Sequence, residues 1–207
     1  MIISALHRFV FAAVPKTGTH SVRQALREHM GPDDLEQVRL FLEKRFPIPE
    51  LARLGHGHVT LQQVRPFMSK ADFEGFFKFA FVRNPFDRFV SFCAFMTRGT
   101  NMFERDAKGV MRHILFTVRP VDQIVFQPQH IFVTDEQGAL LSDYIGRVEQ
   151  MQQSYDEICR RIGIAATPLD KINASQRGDY RQYYDQQLID GVSELYARDL
   201  ELFGYDF

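Results

Sequence analysis

The sequence contains no tryptophan and only two cysteines, Cys93 and Cys159, in 207 residues. Two cysteines are too few for a disulfide framework, and no CxxC pair is present that would indicate a zinc site. The chain also has no excess of charge, because 25 basic residues stand against 26 acidic ones and the formal net charge is -1. Without a global positive field, the composition argues against a nucleic-acid partner.

Long apolar runs are absent as well. The longest stretch near the amino terminus, residues 9–14, is far shorter than the roughly 20 residues that a transmembrane helix requires. It also makes a poor signal peptide, since Lys16 interrupts it and no small-residue cleavage site follows. The scarcity of cysteine fits a reducing compartment, so we expect a cytoplasmic protein without a membrane span.

What is present is the composition of a globular protein, with 45% hydrophobic and 25% charged residues. A chain of this length predicts one compact domain over residues 1–207. Residues 9–14 form an unbroken apolar run that is typical of a buried parallel strand, and residues 77–82 indicate a second strand. Shorter strands are predicted at residues 131–133 and 144–145.

Apolar residues at helical spacing predict helices between these strands. Helices are expected after residue 21, from Asp33 or Asp34 to Phe46, over residues 86–96, over residues 151–162 with Gly163 as the stop, and from Asp185 to the residue before Gly204. The alternation predicts an α/β fold with a mostly parallel sheet of about four or five strands flanked by helices. In such sheets, ligands bind at the carboxyl ends of the strands.

The segment after the first strand predicts a phosphate site. It reads Pro15-Lys16-Thr17-Gly18-Thr19-His20-Ser21 and leads directly into a helix. A helix start exposes unpaired N–H groups and the positive end of the helix dipole, so it can hold an anion. Lys16 adds a positive charge and Gly18 permits a close backbone approach. Because Lys16 precedes the glycine, the order differs from the NTPase pattern GxxxxGK[ST], and an ordinary strand-to-helix turn stays the alternative.

A second anion site is predicted after the strand at residues 77–82. The segment Arg83-Asn84-Pro85-Phe86-Asp87-Arg88-Phe89-Val90-Ser91 places an arginine at the strand end and a serine two helical turns later. The planar guanidinium suits a terminal phosphate, and a hydroxyl can complete the site. Two such sites predict a ligand with two separated phosphate groups. The alternative is that Arg83 and Arg88 pair with Asp87 or other surface carboxylates.

The two segments together resemble the 5′-phosphosulfate loop and the 3′-phosphate motif of sulfotransferases that use 3′-phosphoadenosine 5′-phosphosulfate (PAPS). The enzymes of that group that act on phenols and steroids have an aromatic residue before the loop proline, where this chain has Val14, and a tryptophan in or after the loop, whereas this chain contains none. The sequence is more similar to the carbohydrate sulfotransferase branch and its bacterial relatives. His56-Gly57-His58-Val59 is similar to the His-Gly-His segment of heparan sulfate 2-O-sulfotransferases, in which these histidines have catalytic roles.

The resemblance implies a P-loop-like sulfotransferase fold and an in-line displacement that moves a sulfuryl group from PAPS to an acceptor hydroxyl, with 3′,5′-ADP as product and no metal. It implies that His58 removes the hydroxyl proton with help from His56, and that Lys16 stabilises the leaving oxygen. The residues that it implies for donor binding are Lys16, Thr17, Gly18, Thr19, His20, Ser21, Arg83, Ser91, Ser175 and Arg177.

Two other functions stay open at this point. A kinase-like nucleotide phosphotransferase would prefer ATP and depend on magnesium, whereas a non-catalytic adenine-nucleotide-binding module would perform no transfer. The expected acceptor is a hydroxyl of a carbohydrate or glycoconjugate, with residues 31–54 and 99–129 as its walls. The second wall has a basic bias from Arg98, Arg105, Lys108, Arg112 and Arg119, although Glu104 and Asp106 allow a solvated helix face instead.

Overall fold

The computed structural model describes residues 1–37, 48–170 and 178–207. Contacts divide the chain into two compact units. We call the first the sheet unit, which consists of Met1–Val82 and Ile131–Asn173, and the second the helical unit, which consists of Arg83–His130 and Ala174–Phe207. That residues 1–207 act as one sulfotransferase domain stays a prediction.

A five-stranded sheet forms the centre of the sheet unit. Its strands are β1 (Ile2–Ser4), β2 (Phe9–Ala12), β3 (Leu35–Glu36), β4 (Phe77–Val82) and β5 (Tyr144–Arg147), in the spatial order β3-β1-β2-β4-β5. β4 runs parallel to both of its neighbours, β2 and β5, while β1 pairs antiparallel with β2 and β3. The expected α/β class is confirmed, and the sheet is mixed rather than parallel throughout.

The described residues also contain ten α-helices. They are α1 (Thr19–Arg27), α2 (Pro49–Ala52), α3 (Leu61–Val64), α4 (Lys70–Gly75), α5 (Pro85–Met96), α6 (Met102–Arg105), α7 (Ala107–Arg112), α8 (Met151–Ile162), α9 (Gln186–Leu195) and α10 (Ala197–Phe203). None of these helices is both long enough and apolar enough to cross a bilayer, a finding that covers the described part of the chain.

Each unit has its own apolar core. In the sheet unit, aromatic side chains of β2 and β4 stack across the sheet, as in the pair Phe11 and Phe79 with ring centroids 5.3 Å apart. α1 and α8 pack their apolar faces against this layer through Val22, Leu26 and Ile158, among others. In the helical unit, α5, α7 and α9 surround a separate cluster. The two candidate phosphate segments follow these strands, since Pro15 comes shortly after the end of β2 and Arg83 comes directly after β4.

The strongest sequence patterns are confirmed. The strand at residues 77–82 is β4, and the run at residues 9–14 contains β2, which ends at Ala12. The helix at residues 86–96 is α5 with one more residue at its start, and the helix at 151–162 is α8. Gly163 ends α8 in the left-handed conformation with φ 73°, as the pattern indicates.

Three sequence predictions are wrong within the described residues. Residues 131–133 are not a strand, because His130–Phe132 is a 3-10 helix; their apolar character reflects burial, since Phe132 and Val133 are fully buried. The helix predicted from Asp33 or Asp34 does not form at its start, where Leu35–Glu36 is β3. The rest of that helix, residues 38–47, lies outside the described residues.

Asp34 explains the second error. Its carboxylate accepts hydrogen bonds from the backbone N–H groups of Ala5 (2.7 Å) and Gly31 (3.0 Å) and from the Ser4 hydroxyl (2.7 Å). Asp34 therefore stabilises the turn after β1 rather than a helix start. The third error concerns the last helix. It forms as two helices, α9 and α10, because Tyr196 interrupts the helical conformation between them.

Candidate active site

The loop between β2 and α1 has an unusual backbone. Lys16 has φ 67° and Gly18 has φ 69°, so two residues of three adopt the left-handed conformation. A lysine in that region costs about 1–3 kcal/mol, and such strain concentrates at functional sites. A Cβ at residue 18 would lie 2.7 Å from Cε of Met151, the movable end of a flexible side chain, so the positive φ of Gly18 is the main reason for a glycine there. The loop is thus held in a conformation that the sequence alone does not favour.

The start of α1 is left open for an anion. Gly18 is the N-cap residue and, having no side chain, gives the helix no side-chain cap; the backbone N–H of Ser21 bonds to the Gly18 carbonyl at 3.1 Å. The Thr17 hydroxyl faces inward and donates to the Val14 carbonyl at 2.9 Å, so it fixes the loop. Thr19 and Ser21 are also buried, and Lys16 is half-buried.

Positive charge gathers along this helix start. Desolvation lowers the pKa of His20, and the positive charges of nearby side chains lower it further. The cations responsible are Arg23, Arg27 and Lys16. The positive charges that disfavour an imidazolium at this position favour an anion such as phosphate or sulfate.

His58 is hydrogen-bonded to the residue directly after β2. Its Nδ1 lies 2.7 Å from the carbonyl oxygen of Ala13, which can only accept, so Nδ1 carries the proton. In the neutral ring, Nε2 then has the lone pair. Desolvation by burial, with further contributions from Arg23 and His56, lowers the pKa of His58 to about 3 despite the opposing hydrogen bond to Ala13. His58 is therefore neutral at physiological pH.

His56 lies beside His58. The backbone N–H of His58 donates to Nδ1 of His56 at 3.3 Å, and the two ring centroids are 6.1 Å apart. Since Nδ1 of His56 accepts a hydrogen bond, it is unprotonated. Burial lowers the pKa of this ring as well. The pair thus offers two neutral imidazoles close to the residue that precedes the loop.

Two buried side chains that the sequence did not single out hold this histidine segment in place. Arg23 on α1 donates from Nη2 to the carbonyls of Gly57 (2.9 Å) and Gln37 (3.2 Å). Nε2 of Gln37 donates to the carbonyls of His56 (2.7 Å) and Leu51 (2.8 Å). Arg23 therefore connects the helix after the loop to the histidines. No local sequence pattern predicts these hydrogen bonds, because they join residues that are 14 to 34 positions apart.

The helical unit holds the predicted second anion site. Nε of Arg83 pairs with Oδ2 of Asp87 at 2.6 Å, as the alternative interpretation expected. Within the described residues, this pair through Nε is the hydrogen bond that the Arg83 side chain forms. Ser91 is buried on α5, one turn beyond Asp87 on the same helix face.

Asn84 anchors the start of α5. Its Oδ1 accepts from the backbone N–H of Phe86 at 2.9 Å, and its Nδ2 donates to the Asp206 carbonyl at 2.8 Å and the Tyr180 hydroxyl at 3.2 Å. The guanidinium of Arg181 lies over the Tyr180 ring at 4.6 Å. Ser175 and Arg177, which the resemblance implies for donor binding, lie outside the described residues.

The structure thus places the predicted residues in two groups. Lys16 to Ser21, His56 and His58 lie in the sheet unit, and the hydrogen bond from His58 to Ala13 ties His58 to the residue directly after β2. Arg83 and Ser91 lie in the helical unit, directly after β4 in the chain. Their binding and catalytic roles stay predictions.

Comparison with known proteins gives the family. Searches of curated proteins and of solved structures returned no match. Residues 1–114, which contain the loop, both histidines, Arg83 and Ser91, match the family model described as Sulfotransferase family. This match spans more than half of the 207 residues and supports sulfuryl transfer in general. The chain belongs to the sulfotransferase family.

Proposed function

We propose that this protein transfers a sulfuryl group from PAPS to a hydroxyl of a carbohydrate or glycoconjugate, with His58 as the base. The observation that carries the proposal is the loop from Pro15 to Ser21. It combines a strained lysine, a glycine N-cap and an open helix start, and a neutral histidine is hydrogen-bonded to Ala13, two residues before it. Phosphate binding, charge stabilisation and proton removal are the three tasks that sulfuryl transfer sets.

The start of α1 would hold the 5′ end of the donor. Backbone N–H groups at the start of α1 and the hydroxyls of Thr19 and Ser21 would bind the 5′-phosphate and the sulfonate. Lys16 would stabilise the charge that grows on the bridging oxygen as the S–O bond breaks. His20 would contribute through its backbone N–H and the positive environment described above.

The acceptor proton would pass to His58. As the acceptor oxygen forms its bond to sulfur, Nε2 takes the hydroxyl proton and the bridging oxygen leaves with 3′,5′-ADP. A pKa near 3 describes the protein without donor. The negative charges of a bound donor would raise this pKa, because an anion near the ring favours the imidazolium. His58 would thus become a stronger base once PAPS is bound.

The 3′ end of the donor is assigned to Arg83 and Ser91. The ion pair with Asp87 holds one edge of the guanidinium and orients its outer edge, which suits bidentate contact with a phosphate. This assignment makes the 3′-phosphate, which ATP and 5′-AMP lack, the feature that distinguishes the ligand.

The donor assignment predicts a ranked set of thermal shifts. We expect 3′,5′-ADP to raise the melting temperature more than 5′-AMP or ATP does, because only a ligand with a 3′-phosphate gains the Arg83 contact. Differential scanning fluorimetry without and with magnesium measures this. Equal shifts for all three nucleotides would contradict the PAPS assignment. A larger shift with magnesium and ATP would favour the phosphotransferase alternative.

Arg83→Ala supplies the paired measurement. It should reduce the shift with 3′,5′-ADP to the level of 5′-AMP and leave the 5′-AMP shift unchanged. Arg181→Ala is a matched control, since it removes an arginine of the same unit that lies on the Tyr180 ring instead. Equal losses in both variants would assign the effect to general charge rather than to Arg83.

A pocket in the helical unit supports the proposed acceptor wall. It has a volume of about 300 Å³ and is lined by Leu115, Phe116, Arg119, Gly191, Glu194 and Leu195. Phe116 lies on the π-helix His113–Val118, which ends at Arg119 with φ 40°. An exposed aromatic ring beside a cation and a carboxylate can stack on a sugar ring and bind its hydroxyls. The size suits a monosaccharide, at the small end of ligand pockets.

The basic bias of residues 99–129 is weaker than the sequence suggests. Arg112 forms an ion pair with Asp185, so one of the positive charges of this segment has a structural partner. The pocket, rather than the net charge of the segment, is the better support for an acceptor site.

Phe116→Ala should weaken acceptor binding. Loss of a stacking ring worth about 0.5–1.5 kcal/mol predicts a rise in the acceptor KM of roughly 2- to 10-fold, with the KM for PAPS unchanged. Steady-state kinetics with a glycan acceptor measures both constants. Val118→Ala is the control, since Val118 is 51% exposed on the same helix but does not line the pocket. An unchanged acceptor KM in Phe116→Ala would remove this pocket from the acceptor site.

A further inference from the structure

Gln129 forms an unusual pairing with the backbone of Arg83. Its Oε1 accepts from the Arg83 N–H at 2.9 Å, and its Nε2 donates to the Arg83 carbonyl at 2.8 Å. The side chain of Gln129 is fully buried. The ladders of β4 end at Val82, so Arg83 is the first residue without a strand partner. The side-chain amide of Gln129 therefore pairs with both backbone groups of Arg83, as a neighbouring strand pairs with the residues before it.

Asp199 in turn fixes Gln129. Its carboxylate is fully buried and accepts three hydrogen bonds: from the Gln129 N–H (2.7 Å), the His130 N–H (2.8 Å) and Nδ1 of His130 (2.8 Å). Bonds to an ionised acceptor are stronger than neutral ones, and a buried carboxylate is expensive unless it is satisfied in this way. The position of Gln129 is thus specified at its backbone as well as at its side chain.

The result is an arginine fixed at both ends. Gln129 holds the N–H and C=O of Arg83, while Asp87 holds Nε of its side chain. A guanidinium that binds phosphate through two parallel bonds depends on orientation, and small displacements are costly at such a site. A buried polar side chain whose hydrogen bonds both go to the backbone of one residue indicates that the position of that residue is important.

We propose that Gln129 is a positioning residue that gives the nucleotide site its selectivity for a 3′-phosphate, and that Asp199 holds Gln129 in position. The inference rests on the proposed function, since it assumes that Arg83 binds the 3′-phosphate. It adds two residues from distant parts of the chain, neither of which would touch the nucleotide itself.

Gln129→Met tests the proposal, because methionine keeps the volume and removes both hydrogen bonds. We expect the dissociation constant for 3′,5′-ADP to rise about tenfold, which corresponds to about 1.4 kcal/mol, and that for 5′-AMP to change less than about twofold. Isothermal titration calorimetry with the full chain measures both.

Tyr196→Phe is the control for a purely structural effect. Its hydroxyl donates to the Phe126 carbonyl at 2.9 Å in the buried core of the same unit, so its loss removes a comparable hydrogen bond away from Arg83. Urea unfolding should show a loss of stability in both variants, while only Gln129→Met loses selectivity. If both variants lose affinity for the two nucleotides alike, Gln129 has a structural role alone.

The remaining outcomes separate this inference from the proposed function. If the unsubstituted protein binds 3′,5′-ADP no better than 5′-AMP, the donor assignment and the inference are both overturned. If the unsubstituted protein prefers 3′,5′-ADP and Gln129→Met keeps that preference, the inference alone is overturned. If Gln129→Met does not fold, Asp199→Asn gives the same readout, because it removes the anionic acceptor but leaves Gln129 in the chain.

Discussion

His58→Ala should reduce transfer to a small residual rate and leave nucleotide binding nearly intact. Removing a general base costs about 10²- to 10⁴-fold in rate, whereas the residues assigned to the nucleotide phosphates are unchanged. The measurements are turnover with labelled PAPS and the thermal shift with 3′,5′-ADP. His113→Ala serves as the control, since it removes an exposed histidine of the helical unit. Turnover within tenfold of the natural protein would reassign the base.

The pH dependence gives this prediction a second readout. A base is active when unprotonated, so its rate falls as the pH drops through its pKa. kcat/KM for PAPS reports the protein without donor, in which the pKa of His58 is about 3. This ratio should show no decline due to His58 until the pH approaches that value. kcat reports the donor complex, in which donor anions raise the pKa, so its acid limb should lie at higher pH. A kcat limb at or below the kcat/KM limb would contradict the proposed contact between donor and base.

Lys16→Met should lower kcat by about 10²- to 10³-fold. The substitution keeps a side chain of similar length in the left-handed conformation but removes the charge that would stabilise the leaving oxygen. Transfer kinetics at saturating PAPS measures the loss. Because the contact strengthens as charge develops, kcat should fall more than the affinity for 3′,5′-ADP does.

Lys16→Gly separates the charge of Lys16 from its strained backbone. Glycine adopts φ 67° without strain, and its greater freedom in the unfolded chain offsets part of that gain, so stability should stay within about 1 kcal/mol of the natural protein. We expect Lys16→Gly to lose transfer as Lys16→Met does. If Lys16→Gly turns over at the natural rate, the left-handed backbone rather than the ammonium group is what the loop requires.

Sequence patterns predict the parts of this fold that have long or well-bounded signals. β2 and β4 come from apolar runs, and α8 from regular spacing closed by Gly163. β1 has only three residues and β3 only two, so neither is long enough to show a period. The apolar residues at 131–133 show that a short run reports burial without reporting backbone conformation.

The candidate site divides in the same way. Lys16, His58 and Arg83 come from local segments whose residue types suit the chemistry. Gln129 and Asp199 cannot be found locally, because their bonds join residues 46 and 70 positions apart. Such contacts exist only once the fold is formed, and glutamine or aspartate in a loop has no spacing that marks it.

The position of β4 limits how far the chain can be shortened. β4 lies between β2 and β5, and β5 begins at Tyr144, beyond the segment that matches the family. A fragment ending at residue 114 would leave one side of β4 as a row of open N–H and C=O groups next to phenylalanine side chains, which is a template for aggregation. The segment that identifies the family is therefore not a self-sufficient folding unit, and a soluble truncation has to retain β5.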